Sequence, residues 1–101
     1  MLRTVALISF LSLSSCVALP PPYEEYVLAR AAVQAAQDTD SPRFATGLWN
    51  LADENYRLGQ RAFRDSDYGP AKVYFKKATE FAERAENVTR LKKFQTGDSF
   101  P

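Results

Sequence analysis

The amino-acid sequence predicts an all-α fold, in which three helices form one small up-down bundle. Apolar residues recur every three or four positions over most of the chain after Pro22, which is the spacing of one face of an α-helix. Aspartate-containing breaks at residues 38–41 and 65–67 divide this pattern into three segments. A length of 101 residues, 46% of them hydrophobic and 25% charged, suits one domain with one small core.

The first segment of the chain, residues 1–15, has the composition of an export signal. Arg3 carries its charge, and an apolar run interrupted by serine extends from Val5 to Leu13. This run is about half of the roughly 20 residues that a helix needs to cross a bilayer. Prolines at positions 20–22 prevent the helix from continuing. We therefore expect a cleaved signal peptide rather than a transmembrane helix.

The end of the apolar run resembles a bacterial lipobox, in which an aliphatic residue and two small residues precede a cysteine. The matching residues are Leu13-Ser14-Ser15-Cys16. The resemblance implies that the thiol of Cys16 receives a diacylglyceryl group, that a peptidase cleaves before Cys16, and that the new amino group takes a further chain such as palmitate. An alternative stays open, in which an ordinary secretory signal is cleaved nearby and Cys16 is incidental.

Residues 16–22 are then a lipidated, proline-rich tether that holds the domain close to a membrane of the cell envelope. The tether reaches at most about 20 Å at roughly 3.3 Å per residue. Val17 stands where inner-membrane lipoproteins commonly have aspartate, so the resemblance implies the periplasmic face of the outer membrane. Cleavage removes Arg3 and leaves the mature chain formally neutral, so no net charge directs it to nucleic acid or anionic lipid.

The first helix is predicted over residues 23–37, because this segment is rich in alanine and has neither glycine nor proline. Glu24 and Glu25 stand in its first turn, where the helix dipole favours negative charge. Alanines at positions 29, 32 and 36 share one face with Val33. We expect this face to permit the close approach of a neighbouring helix.

The second helix is predicted over residues 42–64, with Ser41 as its N-cap and Pro42 in its first turn. Its apolar residues alternate steps of four and three and predict one buried stripe. The stripe consists of Phe44, Leu48, Leu51, Asn55, Leu58 and Ala62. We expect Asn55 to be a polar group that is paired where two helices touch.

The third helix is predicted over residues 68–91, with two apolar rows that imply two helical neighbours. One row is Ala71, Phe75, Ala78, Ala82 and Ala85, and the other is Tyr74, Phe81 and Val88. Two pairs of opposite charge, four residues apart, mark the solvated face: Glu80 with Arg84 and Glu86 with Arg90. Residues 92–101 lose the period and are predicted to form a flexible tail.

Residues 52–85 resemble one tetratricopeptide-type helical hairpin. The matching positions are Leu58-Gly59, Asp67-Tyr68, Ala71, Phe75 and Ala78. The resemblance implies that the glycine and the alanines permit close helix crossing. The family's pattern is not kept at Asn55, Ala62, Ser66 and Glu83. We find no second copy, so one chain is not expected to form a peptide-binding superhelix of about three repeats.

The signal, the lipobox, the alanine-rich helix and the single hairpin together resemble a family of short bacterial envelope lipoproteins. That family is classed as a domain of unknown function, and its members share a DY..A...F..A segment, which here occupies residues 67–78. The resemblance implies a fold and an envelope location rather than an activity.

We predict a non-catalytic interaction or structural module that contacts an unidentified envelope protein or another copy of itself. Seven phenylalanines, five tyrosines and one tryptophan exceed what a core of this size encloses. The candidate contact residues are Tyr23, Tyr26, Trp49 and Tyr56. Each also has a simpler interpretation, as a core residue with a solvated tip. The alternative function is a small-ligand or lipid-surface binding domain, either secreted or tethered.

The composition argues against catalysis, against a metal or cofactor and against nucleic acid as a partner. The chain has no histidine and one cysteine, and its tight carboxylate pairs are helix neighbours that point in different directions. A basic end leaves two interpretations open, contact with anionic lipid or nucleic acid, and a helix C-terminus with cations that suit its dipole. Its residues are Arg84, Arg90, Lys92 and Lys93.

Overall fold

The computed structural model describes residues 19–97, and this part of the chain is all-helical, as predicted. It contains four helices: α1 (Tyr23–Asp38), α2 (Ser41–Phe44), α3 (Thr46–Arg64) and α4 (Tyr68–Thr96). The predicted signal peptide and the lipobox, including Cys16, lie outside the described residues. Among residues 19–97 no helix is both long and apolar enough to span a bilayer.

Helix α1 begins directly after the prolines and nearly matches its predicted range. The backbone N–H of Tyr26 donates to the carbonyl of Pro22 at 3.0 Å, which starts the helical ladder. At the other end the hydroxyl of Thr39 lies 2.9 Å from the carbonyl oxygen of Ala36 and so satisfies an orphan acceptor. Ala29 and Ala36 are fully buried, so the small-residue face of α1 packs as expected.

The second predicted helix is not continuous, and its start is organised differently from the prediction. Ala45 has φ −135° and ψ 53°, outside the helical region, and separates α2 from α3. Ser41 does not act as the N-cap, because that position falls to Asp40, which has a left-handed backbone and makes no side-chain cap. Ser41 is instead fully buried against α4. Apolar spacing gives no sign of either feature, since each depends on a single residue.

The buried face of α3 is shifted by about one residue from the predicted stripe. Its buried positions are Ala52, Gly59 and Ala62, whereas Leu51 is 41% exposed. The side-chain amide of Asn55 donates to the carbonyl of Leu51 at 2.8 Å, so its partner lies in its own helix. Ala62 is buried as predicted, whereas Ala52 and Gly59 take the places that the prediction gives to Leu51 and Leu58.

Helix α4 follows its predicted core closely and is longer than predicted. The row Ala71, Phe75, Ala78, Ala82 and Ala85 is fully buried, and Thr89 continues it. The helix runs to Thr96 rather than to about residue 91 and ends at Gly97, whose φ of 78° is left-handed. The predicted ion pairs form, with Arg84 at 2.6 Å from Glu80 and Arg90 at 2.7 Å from Glu86.

Two clusters of buried residues lie along α4. The aromatic cluster contains Ala29, Ala62, Ala71, Phe75 and Ala78, with the half-buried Tyr26, Tyr56, Phe63 and Tyr74 packed on it. The alanine cluster contains Ala36, Ala52 and Ala82, with Ala32, Val33, Trp49 and Phe81 packed on it. Residues near the start of α1 and of α4 pack together in the aromatic cluster. Residues further along both helices pack together in the alanine cluster. The two helices therefore run in the same direction, and α3 runs opposite to both.

Candidate functional site

The candidate contact residues Tyr23, Tyr26 and Tyr56 come together in a network of aromatic rings. Phe63 links the network, because its ring centroid lies 5.6 Å from that of Tyr23 and 5.7 Å from that of Tyr26. Tyr26 also stacks on Tyr56 at 6.3 Å and meets the buried Phe75 edge-on at 5.1 Å. Tyr26 and Tyr56 therefore serve the core as well as the surface.

Exposure separates the members of this network. The side chain of Tyr23 is 64% exposed, whereas Tyr26 and Tyr56 are half-buried. Burial raises the pKa of Tyr56 above its ordinary value of 10.0, and a hydrogen bond with Tyr26 raises the pKa further. A hydroxyl in such a setting remains protonated and is suited to hydrogen bonding rather than to acid-base chemistry at neutral pH.

A groove opens between α1 and α3 beside these rings, and we call it the aromatic groove. It has a volume of about 350 Å³ and is lined by Tyr23, Tyr26, Gln60, Phe63 and Arg64. The groove exists because large rings, rather than alanines, fill this side of α1 and α3. The sequence pattern does not predict Gln60, Phe63 and Arg64 as contact residues. Phe63 falls outside the predicted stripe of α3 because that stripe was placed about one residue off.

Trp49 does not belong to the aromatic groove. It is half-buried and packs on the alanine cluster, with Ala36, Ala52 and Ala82. Trp49 and Phe63 are both on α3, and the 14 positions between their numbers correspond to about 21 Å along a helix. The four candidate contact residues therefore do not form one continuous surface.

A second groove lies between α1 and α4, and we call it the α1–α4 groove. It has a volume of about 240 Å³ and is lined by Glu24, Glu25, Leu28, Lys76 and Thr79. Nζ of Lys72 lies 3.6 Å from Oε1 of Glu25 and joins the two helices across this side. Leu28 is 53% exposed, and its neighbour Val27 is 61% exposed. This surface combines apolar side chains with charges of both signs.

The basic end predicted from the sequence is occupied by interactions within the domain. Arg84 and Arg90 form the ion pairs with Glu80 and Glu86. Nζ of Lys92 donates to the carbonyl of Phe44 at 2.6 Å. Nζ of Lys93 lies 5.6 Å from the centroid of the Phe44 ring. These interactions connect the end of α4 to α2 and to neighbouring residues of α4.

Residues 19–97 contain no group of three or more acidic, histidine or cysteine side chains placed to hold a metal ion. In the same range every buried side-chain nitrogen or oxygen has a hydrogen-bond partner. The surface of this part of the chain carries the aromatic groove and the α1–α4 groove. No known protein-family model matches this chain, and no curated protein or solved structure matches it either.

Proposed function

We propose that this chain is a membrane-anchored bacterial lipoprotein that acts as a non-catalytic interaction or structural module of the cell envelope. Acyl chains on Cys16 would hold it at the membrane, on the periplasmic face of the outer membrane. The helical domain would then meet an envelope protein or another copy of itself. The lipobox-like sequence before Cys16 supports the anchoring.

The observation that carries the interaction proposal is the apolar flank of α1. Val27 and Leu28 are 61% and 53% exposed and follow one another in sequence, so this part of α1 presents apolar surface to solvent. Val73 of α4 is 51% exposed and lies one turn before Lys76, which lines the same groove as Leu28. Apolar side chains bordered by charges of both signs are typical of protein interfaces.

The proposed arrangement of the domain is a three-helix up-down bundle that contains a tetratricopeptide-like hairpin formed by α3 and α4. The packing of Gly59 against the ring of Phe75 supports it, since both positions belong to the pattern of that hairpin. The burial of Ala71 and Ala78 on the facing side of α4 supports it as well. A single hairpin plus α1 leaves one side of α1 without a neighbouring helix, which agrees with an interaction role.

Lipidation is tested by expressing the full chain with a C-terminal tag in a bacterial host and measuring intact masses from the membrane fraction. We expect a product that begins at Cys16 and carries added acyl mass. The Cys16→Ser variant should lose both the acyl mass and the membrane fractionation. A wild-type product that lacks the signal peptide and has no acyl mass would mean a free secreted domain, and the anchoring proposal would be wrong.

The interaction surface is tested by placing a photo-crosslinking amino acid at Leu28 in the full chain in living cells. We expect a discrete cross-linked species, whose mass separates a dimer of this chain from a complex with another protein. The matched control carries the same amino acid at Asn50, an exposed residue on α3. Equal cross-linking at both positions, or none at Leu28, contradicts a specific contact through the α1–α4 groove.

A second candidate function, binding of a small apolar ligand, is favoured by the aromatic groove. Its volume of about 350 Å³ falls within the range of known ligand pockets, roughly 300–1,000 Å³. A bound ligand would raise the thermal unfolding temperature of the chain, since it binds the folded state alone. Phe63→Ala should abolish this rise for a true groove ligand, whereas the surface variant Val73→Ala should keep it.

A further inference from the structure

Residues 19–22, which precede α1, lie at one end of the domain. The Leu19 side chain lies 3.6 Å from the ideal β-carbon position of Gly69, at the start of α4. Pro22 is buried, and the N–H of Tyr23 donates to the carbonyl of Pro21 at 2.9 Å. Leu19 therefore lies beside the first turn of α4. Only Val17 and Ala18 separate it from Cys16, so the two residues are at most about 11 Å apart at roughly 3.6 Å per residue.

The same end carries a group of apolar and aromatic side chains, which we call the aromatic end: Leu19, Tyr23, Phe63 and Tyr68. The ring of Phe63 lies 5.6 Å from the ring of Tyr23 and 5.6 Å from the ring of Tyr68. Leu19 is 62% exposed and Tyr23 is 64% exposed. These residues come from the chain entry, α1, the last turn of α3 and the first turn of α4, so the fold itself assembles them.

Exposed charges of both signs surround the aromatic end, and Glu24 beside Tyr23 is one of them. Arg61 and Arg64 are exposed on the last turns of α3, and Asp65 and Asp67 are exposed on the turn that follows. A surface with both signs of charge gains little from an anionic partner, because attraction at one site is offset at the next. Contact at this end therefore depends on apolar and aromatic chemistry.

We propose that the aromatic end lies in the headgroup region of the phospholipid bilayer in which Cys16 is anchored. This inference rests on the proposed lipidation of Cys16. Tyrosine is suited to the membrane interface, because its ring is apolar and its hydroxyl is hydrated. The short distance from Cys16 to Leu19 keeps this end within reach of the headgroups. The domain then stands on the membrane, and its other end points away from the lipid.

The geometry sets the distance of the far end from the membrane. Tyr68 and Phe94 are 26 positions apart on α4, which corresponds to about 39 Å along a helix. Phe94 is 68% exposed at that far end. The α1–α4 groove then begins beside the membrane at Glu24 and continues along the side of the upright domain to Thr79, where a partner reaches it without displacing lipid.

The test measures immersion of a nitroxide label on the acylated full-length product in phosphatidylcholine vesicles. Cys16 is the one native cysteine and carries lipid after processing, so an introduced cysteine is labelled specifically. Labels are placed by Glu24→Cys, beside the aromatic end, and by Asn50→Cys on α3; both positions are exposed. We expect the label at position 24 to collide several-fold more with oxygen, relative to an aqueous nickel chelate, than the label at position 50.

A matched pair of variants assigns the immersion to the aromatic end. Leu19→Ser combined with Tyr23→Ser should remove the immersion at position 24 while the acyl mass remains. The control combines Val27→Ser with Leu28→Ser, which removes exposed apolar residues of α1 elsewhere, and should keep the immersion. Raising the salt concentration should leave the wild-type result unchanged, because the contact does not depend on net charge.

The outcomes separate this inference from the lipidation on which it rests. If the product carries acyl mass but the label at position 24 is fully in water, the inference is wrong, whereas the proposed anchoring through Cys16 is still supported. Immersion that disappears at high salt overturns it as well and favours an electrostatic contact. A product without acyl mass overturns the proposed anchoring first, and the upright orientation is then wrong with it.

Discussion

Gly59 lies where α3 meets the buried ring of Phe75. A β-carbon at position 59 would lie 2.7 Å from two carbons of that ring, which is closer than atoms in packed proteins come. Phe75 is fully buried, so its ring has little room to move away. The missing side chain at position 59 therefore permits the contact between α3 and α4.

We expect Gly59→Ala to destabilise the domain by about 1–3 kcal/mol, the usual cost of overpacking a core. The matched control is Gly47→Ala, because a β-carbon at position 47 meets no atom within 4 Å. That change should stabilise the domain, by up to about 1 kcal/mol, since alanine favours the helical state over glycine. Urea unfolding followed by circular dichroism measures both. Equal effects of the two substitutions would contradict the packing role of Gly59.

Ser41 and Thr89 form a polar contact inside an otherwise apolar core. Their hydroxyl oxygens lie 2.9 Å apart, and that of Thr89 also lies 2.7 Å from the carbonyl of Ala85. Both side chains are fully buried. We expect Thr89→Val, which keeps the shape, to cost about 1–3 kcal/mol, because it removes the contacts with Ser41 and Ala85 and leaves the Ser41 hydroxyl with only the Thr39 hydroxyl at 3.3 Å.

The matched double variant separates this loss from simple packing. Ser41→Ala combined with Thr89→Val should cost less free energy of unfolding than the sum of the two single changes. The coupling is expected because either single change already removes the contact between the two hydroxyls, so the second change has no such contact left to lose. Strict additivity in urea unfolding would show that the two hydroxyls do not depend on each other.

Tyr56 makes the stability of the domain sensitive to alkaline pH. Burial and the hydrogen bond with Tyr26 raise its pKa in the folded state above the ordinary value of 10.0. The unfolded chain then loses this proton at lower pH than the folded chain does. The contribution of Tyr56 is therefore complete below about pH 10 and is lost as the pH rises through the folded pKa. Tyr56→Phe should flatten the alkaline decline in urea midpoint; an unchanged decline would contradict this assignment.

At the scale of the element, the small residues decide which helix faces meet. On α1 the fully buried positions are Ala29 and Ala36, and on α4 Ala78 and Ala82 face them within the two clusters. Alanine on both sides permits the close approach of parallel helices. Between α1 and α3, the larger rings of Tyr26, Tyr56 and Phe63 take the place of alanine.

The element-scale prediction concerns the alanine side of α1. Ala36→Leu should destabilise the domain by about 1–3 kcal/mol, because a leucine would be forced between α1 and its neighbours in the alanine cluster. Ala31→Leu is the matched control, since Ala31 is exposed on the same helix and leucine is nearly as good a helix former as alanine. The comparison uses urea midpoints. A similar loss for both variants would point to helix propensity rather than packing.

The sequence predicts some of these elements better than others, for physical reasons. The row of α4 from Ala71 to Ala85 is predictable because small and large apolar residues there share one face. The face of α3 was placed one residue off because its large residues flank the contact, whereas Ala52 and Gly59 form it. A pattern of hydrophobicity favours large side chains, but close helix packing selects small ones.

The ends of elements depend on interactions between residues far apart in sequence. Ser41 has the sequence position of an N-cap, but its hydroxyl lies against Thr89 of α4. The extension of α4 to Thr96 carries Lys92, whose Nζ donates to the carbonyl of Phe44. Glycine commonly ends helices, so Gly97 is a signal in the sequence for the observed end of α4. Locating the aromatic groove requires knowing which face of α3 is buried. The sequence therefore predicts the two tyrosines of the groove as contact residues but does not predict Phe63.

At the scale of the molecule, the domain has two different ends. The entry end carries Leu19, Tyr23 and Phe63, and the far end carries the last turns of α4, held to α2 through Lys92. The charged pairs of α4 lie between them on the solvated face. This difference between the two ends suits a module that is anchored at one end, because the anchored end and the sides then present different side chains.

The two buried clusters should unfold together, because one continuous helix supplies residues to both. Phe75 and Ala78 belong to the aromatic cluster, and Ala82 belongs to the alanine cluster, one turn further along α4. Losing either cluster removes packing from the same helix, so partial unfolding leaves α4 with little support. We therefore expect a single two-state transition.

Native probes report on each cluster separately. Trp49 fluorescence follows the alanine cluster, and the tyrosine signal in near-ultraviolet circular dichroism follows chiefly the aromatic cluster. The two urea midpoints should coincide in the wild-type domain. Phe75→Leu, a change in the aromatic cluster alone, should lower the midpoint reported by Trp49 as much as the one reported by the tyrosines. A shift confined to the tyrosine signal would mean that the clusters unfold independently, and that α4 does not couple them.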